Sequence, residues 1–229
     1  MLNCCLLAAD DYASKKLFEG LTAELPDNIW TYIHSKENID EYGFEQFDYV
    51  FVLRWPFIIS KEVLSQSNFI GFHTSNLPHG RGGSPLQNQI MCGILETRVN
   101  ALQLVSGIDT GPVYDSQNIT IQGSINDVWL TIARIAKTMI IKILDNEITP
   151  IKQTELDLPI YKRRKDNSIN NNKFEIKSLL DLHRFIQMLD GDGYPSAFLK
   201  IANFKIELTR SAFNGEHILC DAKIIMGKK

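Results

Sequence analysis

The chain has 229 residues, 44% of them hydrophobic and 22% charged, with a formal net charge of −3. That is globular composition, long enough for one substantial core and a small appendage. The charge gives no overall field to recruit nucleic acid or a membrane surface. Residues 1–149 hold 10 Lys+Arg against 17 Asp+Glu, and residues 150–229 hold 14 against 10. The net +4 of the later part suits a phosphate-bearing small ligand as well as it suits a solvated surface. Four cysteines, Cys4, Cys5, Cys92 and Cys220, show no metal-type or disulfide spacing and are expected to be buried reduced thiols. The first residues have no basic region before their short apolar run, and no stretch reaches the ~20 apolar residues of a membrane helix. The expected location is cytoplasmic.

"NCCLLAA" at 3–9 is a continuous apolar run of buried-strand length. "DDYASKKLFEGLTAEL" follows with helical periodicity and an acidic start, and "PDN" stops it. "IWTYIHS" and "DYVFVLRW" (48–55) read as the second and third strands. "SKEVLSQS" fits a short helix, and "NFIGFH" (68–73) is a fourth strand ending on His73. Alternating strands and helices imply right-handed parallel crossovers, hence a Rossmann-like open, mostly parallel α/β sheet. Ligands of such sheets bind beyond the carboxyl ends of the strands, where His73 is expected. A helix is predicted from Ser84 to Gly93, with Ser84 as N-cap and Pro85 first in the helix. Two strands surround the "IDTG" turn, and 126–146 forms the most periodic helix, with Asn126 as its cap. A linker containing Pro150 and Pro159 leads to the basic, polar "YKRRKDNSINNN". Then come the helix "KSLLDLHRFIQML" and short strands in "AFLKIANFKIELTRSAF". This organisation divides the chain into a main Rossmann-like domain, 1–158, and a small C-terminal α+β subdomain, 159–229.

The first βα turn, "AADDY", has no glycine to admit a pyrophosphate and two aspartates to repel one, so NAD is excluded. There is no phosphate-binding GxxxxGK[ST] loop, and no metal is expected. His34, His79, His183 and His217 are dispersed and read as surface or structural residues. His73 differs because a loop rich in Pro and Gly follows it, "FHTSNLPHGRGGSPLQN". Asp109 lies downstream in "SGIDTGP", where Gly107 and Gly111 permit tight turns that aim a carboxylate across the sheet.

Together these segments resemble the formyltransferases that use N10-formyltetrahydrofolate, the family that includes methionyl-tRNA formyltransferase. The family form N-x-H-x-S-L-L-P, then R-G-x-x-P and a glutamine, is matched at His73, Ser75, Leu77, Pro78, Arg81, Gly82, Pro85 and Gln87. "GIDTGPV" resembles the second motif, and "LRWPFIISKEVL" the third-strand segment lining the folate pocket. "YKRRKDNSI" and "DGYPSAF" resemble segments of the C-terminal part of sugar-modifying members. One position departs: the family's asparagine is Gly71 here. With Asn76 in the loop, the variant looks closest to sugar N-formyltransferases of the pseudaminic-acid type.

The resemblance implies transfer of a formyl group from N10-formyltetrahydrofolate to the amine of a UDP- or dTDP-linked 4-amino-4,6-dideoxy sugar, for surface or flagellar glycans. His73 is then the base and proton shuttle, which an imidazole serves near neutrality, and Asp109 orients it. Asn76, with Asn88 as the other candidate, replaces the missing oxyanion donor. Arg54, Trp55, Phe57 and Ile58, with Leu104, Val105, Gly107 and Ile108, are expected to hold the folate. Ser75, Arg81, Gly82, Gly83, Gln87 and Tyr194 are expected toward the nucleotide sugar. Two readings stand for Arg81, an anion ligand or a pin for its loop, and for Tyr194 and Phe198, stacking on the ligand or packing. Arg163 and Arg164 read as solvated linker charges. No nucleic acid or membrane partner is expected, and the resemblance suggests a homodimer. Methionyl-tRNA, folate hydrolysis without an acceptor, and a non-catalytic binding module are the competing readings.

Overall fold

A computed structural model describes residues 1–35, 43–171 and 176–227. Asn172, in the polar run above, lies outside the described residues. The chain forms two compact units. The first comprises Met1–Gly82, Thr97–Ile119 and Trp129–Ile160; the second comprises Gly83–Glu96, Thr120–Val128 and the chain from Tyr161 onward.

The first unit is built on a six-stranded sheet. Its strands are β1 (Asn3–Ala8), β2 (Ile29–Ile33), β3 (Tyr49–Leu53), β4 (Asn68–Thr74), β5 (Glu96–Gln103) and β6 (Val113–Thr120), in the order β2-β1-β3-β4-β5-β6. β1 pairs in parallel with β2 and β3, and β3 pairs in parallel with β4. β5 reverses, running antiparallel to β4 with His73 opposite Asn100. The fold is thus the mixed α/β, mostly parallel arrangement expected. Central strands buried on both faces need unbroken apolar sequence, and Cys4 to Ala8 are all fully buried. Cys5, Leu7, Ile33, Phe44, Phe47, Val50, Val52 and Phe69 make one core cluster, against which Trp55 and Leu104 pack.

Helix α1 (Tyr12–Glu24) begins where Asp11 accepts from the Ser14 amide at 2.9 Å. It buries Ala13, Ser14, Leu17 and Leu21 along one stripe. Helix α2 is one turn, Lys61–Leu64, capped by Ser60. The order of β2, β1 and β3 puts a topological switch point beyond the ends of β1 and β3, where dinucleotides bind in sheets of this kind. Here Arg54 Nη1 and Asp11 Oδ2 meet at 2.9 Å, with side chains only 8% and 2% exposed. The Arg54 guanidinium also lies over the Trp129 ring, 4.5 Å from its centroid.

In the second unit, helix α3 (Pro85–Met91) starts at Pro85 as expected, but Ser84 makes no side-chain cap. Ser84 has a left-handed backbone, and its Oγ accepts from the Arg164 amide instead. Helix α4 (Ile125–Leu144) runs from this unit into the first. Ser124 rather than Asn126 serves its start, since Ser124 Oγ accepts from the Asn126 amide. Asn126 Oδ1 accepts from the Asp192 amide. Helix α5 (Leu179–Leu189), capped by Ser178, packs against α3 and an antiparallel sheet. That sheet is β7 (Ala197–Ile201), β8 (Phe204–Phe213) and β9 (Ile218–Met226), and β9 was absent from the sequence reading. All four cysteines are free; Cys4 and Cys5 are buried, but Cys92 and Cys220 are exposed, contrary to expectation. Burial raises the Cys4 thiol to about 12.

Candidate active site

The site is assembled within the first unit. β4 ends one residue after His73, which is buried with its ring between two oxygen acceptors. His73 Nε2 lies 2.9 Å from the carbonyl oxygen of Gly80 and donates to it. Its Nδ1 lies 3.4 Å from Asp109 Oδ2. The same Oδ2 accepts from the Gly82 amide at 2.8 Å. That geometry needs a backbone turned to φ 108 at Gly82, a region side chains avoid. The loop also contains a cis Leu77–Pro78 peptide.

Asp109 itself carries the left-handed conformation of its turn, at φ 51, whereas Gly107 and Gly111 do not. The expectation of glycine-driven turning is therefore corrected. The two glycines are needed for close approach: a Cβ on Gly107 would meet Thr110 Oγ1, and one on Gly111 would fall on the carbonyl of Gln103. Gly71 works in the same way. A Cβ there would lie 2.6 Å from Leu104 Cδ2, so Leu104 fills the space a side chain at 71 would take.

Several expected site residues have other engagements. Arg81 Nε and Nη2 donate to Gln153 Oε1 at 3.2 and 2.7 Å, so its guanidinium pins the loop. The Gly82 amide is given to Asp109 and the Gly83 amide to the Tyr161 carbonyl, at 2.9 Å. Neither is open to an anion in this arrangement. Arg54 turns inward to Asp11, away from the exposed apolar residues that follow it. Ser75 is buried, and its Oγ has no hydrogen-bond partner among the described residues. Asn76 is exposed, with its carbonyl accepting from the His79 amide. Asn88 Nδ2 donates to the carbonyls of Gly83, Ser84 and Lys162, and its Oδ1 accepts from Arg164 Nε. That amide is consumed in holding α3 to the segment 162–164. It is no oxyanion donor.

The residues expected at the folate differ in exposure. Trp55 and Phe57 meet edge to face with centroids 5.4 Å apart, and Ile58 is 98% exposed. Val105 and Ile108 are exposed beside Leu104. Gly83, Gln87 and Tyr194 belong to the second unit. Gln87 is buried in α3, and the Tyr194 ring covers Gly191, where a Cβ would strike it. Phe198 lies under Lys205 Nζ, 4.7 Å from its ring centroid. No group of three or more His, Cys, Asp or Glu residues that could hold a metal occurs among the described residues. None of the described helices is long and apolar enough to cross a membrane.

Two residues at the site were not anticipated. Asn100 is buried in β5, where its Nδ2 donates to the carbonyls of His73 and Ser75 and its Oδ1 accepts from Ser116 Oγ. An asparagine inside the mostly apolar run "VNALQLV" is a readable signal, because a buried polar group must find partners. Gln153 Nε2 donates to the carbonyls of Asp109 and Gly111, both at 2.8 Å. Nothing local in the linker distinguishes it.

Comparisons with known proteins agree with this geometry. Residues 164–225 match the family profile described as "Methionyl-tRNA formyltransferase, C-terminal domain". A methionyl-tRNA formyltransferase of Wolbachia pipientis subsp. Culex pipiens is 29% identical over 203 residues, 84% of this chain. The chain spans less than two thirds of the length of such curated relatives, 65% in that case. A solved methionyl-tRNA formyltransferase structure from Clostridium thermocellum is 30% identical with a TM-score of 0.87, covering 99% of this chain and 100% of its own. An N-formyltransferase from Helicobacter canadensis, in complex with folinic acid and dTDP-3-aminofucose, covers 100% of both chains at TM-score 0.64 and 19% identity, a likeness of fold. The open α/β sheet has the architecture of these formyltransferase structures. The chain belongs to the formyltransferase family.

Proposed function

We propose that the protein transfers a formyl group from N10-formyltetrahydrofolate to the primary amine of a nucleotide-linked amino sugar, in the reading of a UDP- or dTDP-linked 4-amino-4,6-dideoxy sugar. The observation that carries formyl transfer is the meeting of His73 and Asp109 at 3.4 Å beside the loop that bears the family motif. As the neutral amine attacks the formyl carbon, the attacking nitrogen loses its proton to His73 Nδ1, the ring nitrogen that does not donate to the Gly80 carbonyl, and N10 of the folate gains a proton as its bond to the formyl carbon breaks. Asp109 stabilises the resulting imidazolium and is itself fixed by the Gly82 amide. Asn76 supplies the donor to the developing oxyanion, since Gly71 has no side chain and Asn88 is engaged. The exposed apolar residues Phe57, Ile58, Val105 and Ile108, with the partly buried Trp55 and Leu104, suit the flat ring of a folate. Residues 1–158 would carry this chemistry, with 159–229 as the smaller subdomain. A homodimer, without nucleic acid or membrane partners, completes the reading.

The sugar acceptor rests on the loop with Asn76, which resembles that of sugar N-formyltransferases, and on the fold likeness to the H. canadensis N-formyltransferase, whose structure holds dTDP-3-aminofucose. Methionyl-tRNA is the second reading, favoured by the name of the C. thermocellum structure and by the profile match at 164–225. The test mixes protein and formyl donor with UDP- or dTDP-linked amino sugars, or with methionyl-tRNA. A mass gain of one formyl group on an amino sugar is expected. Formylation of methionyl-tRNA alone would move the acceptor to the second reading, and no formylated product from folded protein would end both.

A further inference from the structure

The linker after α4 looks like a mere connection, yet Gln153 closes a ring of bonds around the His73–Asp109 pair. Its Oε1 accepts from Arg81 Nε and Nη2, and Arg81 is bonded through the chain to Gly82. The Gly82 amide donates to Asp109 Oδ2, and the Asp109 carbonyl accepts from Gln153 Nε2. Nε2 donates also to the Gly111 carbonyl. Both amide hydrogens and both lone pairs of the side chain are thereby used, the full capacity of a glutamine. Asp109 needs such holding, because its φ of 51 is uncommon for a residue with a side chain.

We propose that Gln153 is a positioning residue, the clamp that ties the turn carrying Asp109 to the loop carrying Gly80–Gly82 and so fixes the carboxylate against His73. This deepens the formyl-transfer reading and rests on it. Glutamine is required because both faces of its amide are used. A glutamate would keep, and strengthen, the acceptor toward Arg81. It would also set a carboxylate against two carbonyl oxygens and lose both donors. Gln153→Glu therefore releases the Asp109 turn while leaving the Arg81 side of the clamp bonded.

The test measures kcat and KM in Gln153→Glu, Asp109→Asn and the double variant, together with hydrogen exchange at the Gly82 amide. Misplacing a catalytic group costs up to about 10²-fold, so Gln153→Glu should lower kcat by about 10-fold to 10²-fold, with KM for the formyl donor within about threefold. In the Asp109→Asn background the same change should cost less than about twofold, since the group being positioned is gone. Gly82 exchange should quicken in Gln153→Glu while Ile70 and Phe72 in β4 stay protected. A full additive loss in the double variant would overturn the proposal, as would unchanged kcat or unchanged Gly82 exchange. If wild-type protein forms no formylated product, the exchange measurement alone still decides whether Gln153 holds the turn.

Discussion

Each unit contains a histidine withdrawn from solvent, buried in one and half-buried in the other, and the two are held by opposite kinds of neighbour. In α5, His183 Nδ1 lies 2.9 Å from Ser211 Oγ, and the ring stacks near Phe213. Burial, and then Arg184, push its pKa below the ordinary histidine value. In β4, His73 has a carbonyl at one nitrogen and a carboxylate at the other. A hydroxyl, an aromatic ring and an arginine favour a ring that stays neutral and supports packing. The ring in β4 instead faces a carboxylate that is held by its own backbone donor. The residue type says little; the charge of its partners says much.

The strongest test of that contrast removes the carboxylate. Asp109→Ala should lower kcat by ~10²–10⁴-fold, measured as formylated product per turnover, without unfolding the sheet. A change within about twofold would mean His73 needs no charged partner.

Next in size is the proposed oxyanion donor. Asn76→Ala should reduce kcat by ~10²-fold and leave the thermal midpoint unchanged, because its side chain is exposed. The space over Gly71 offers a sharper check. Leu104 occupies it, so Gly71→Asn should recover activity in the Asn76→Ala background only when Leu104→Ala makes room. Equal recovery without the Leu104 change would show that the packing there is slack.

A smaller effect separates the second unit. With the folded pKa of His183 lowered, the unfolded chain binds more protons near and below the usual histidine range. The contribution is therefore fully present above the unfolded pKa and is lost as pH falls through that range. Denaturant melts across this window should show stability falling toward acid, and His183→Gln should flatten part of the fall. An unchanged slope would remove the burial argument.

How far these contrasts were readable differs from one residue to the next. The open, mostly parallel sheet followed from apolar strands such as "CCLLA" alternating with amphipathic helices, because burial on both faces writes itself into local sequence. The His73 loop was recognisable because prolines, glycines and an arginine occur at fixed spacing. What the sequence hid were pairings between distant positions. Arg54 was expected at the folate surface, but a buried carboxylate 43 positions earlier, Asp11, draws it inward. Gln153 reaches Asp109 across 44 positions, and no periodicity marks it. Strand β9 was missed because its burial is weak on both faces and its pairing with β8 is interrupted near Arg210, which adopts φ 50.

The central claim is that His73 serves the chemistry and His183 the packing. The most direct measurement compares His73→Gln and His183→Gln beside the wild type, reading formyl transfer and thermal midpoint on the same preparations. The expected result is a loss of ~10²–10⁴-fold in kcat for His73→Gln with an intact fold, and near wild-type kcat for His183→Gln. A His73→Gln variant that turns over as fast as the wild type would contradict it.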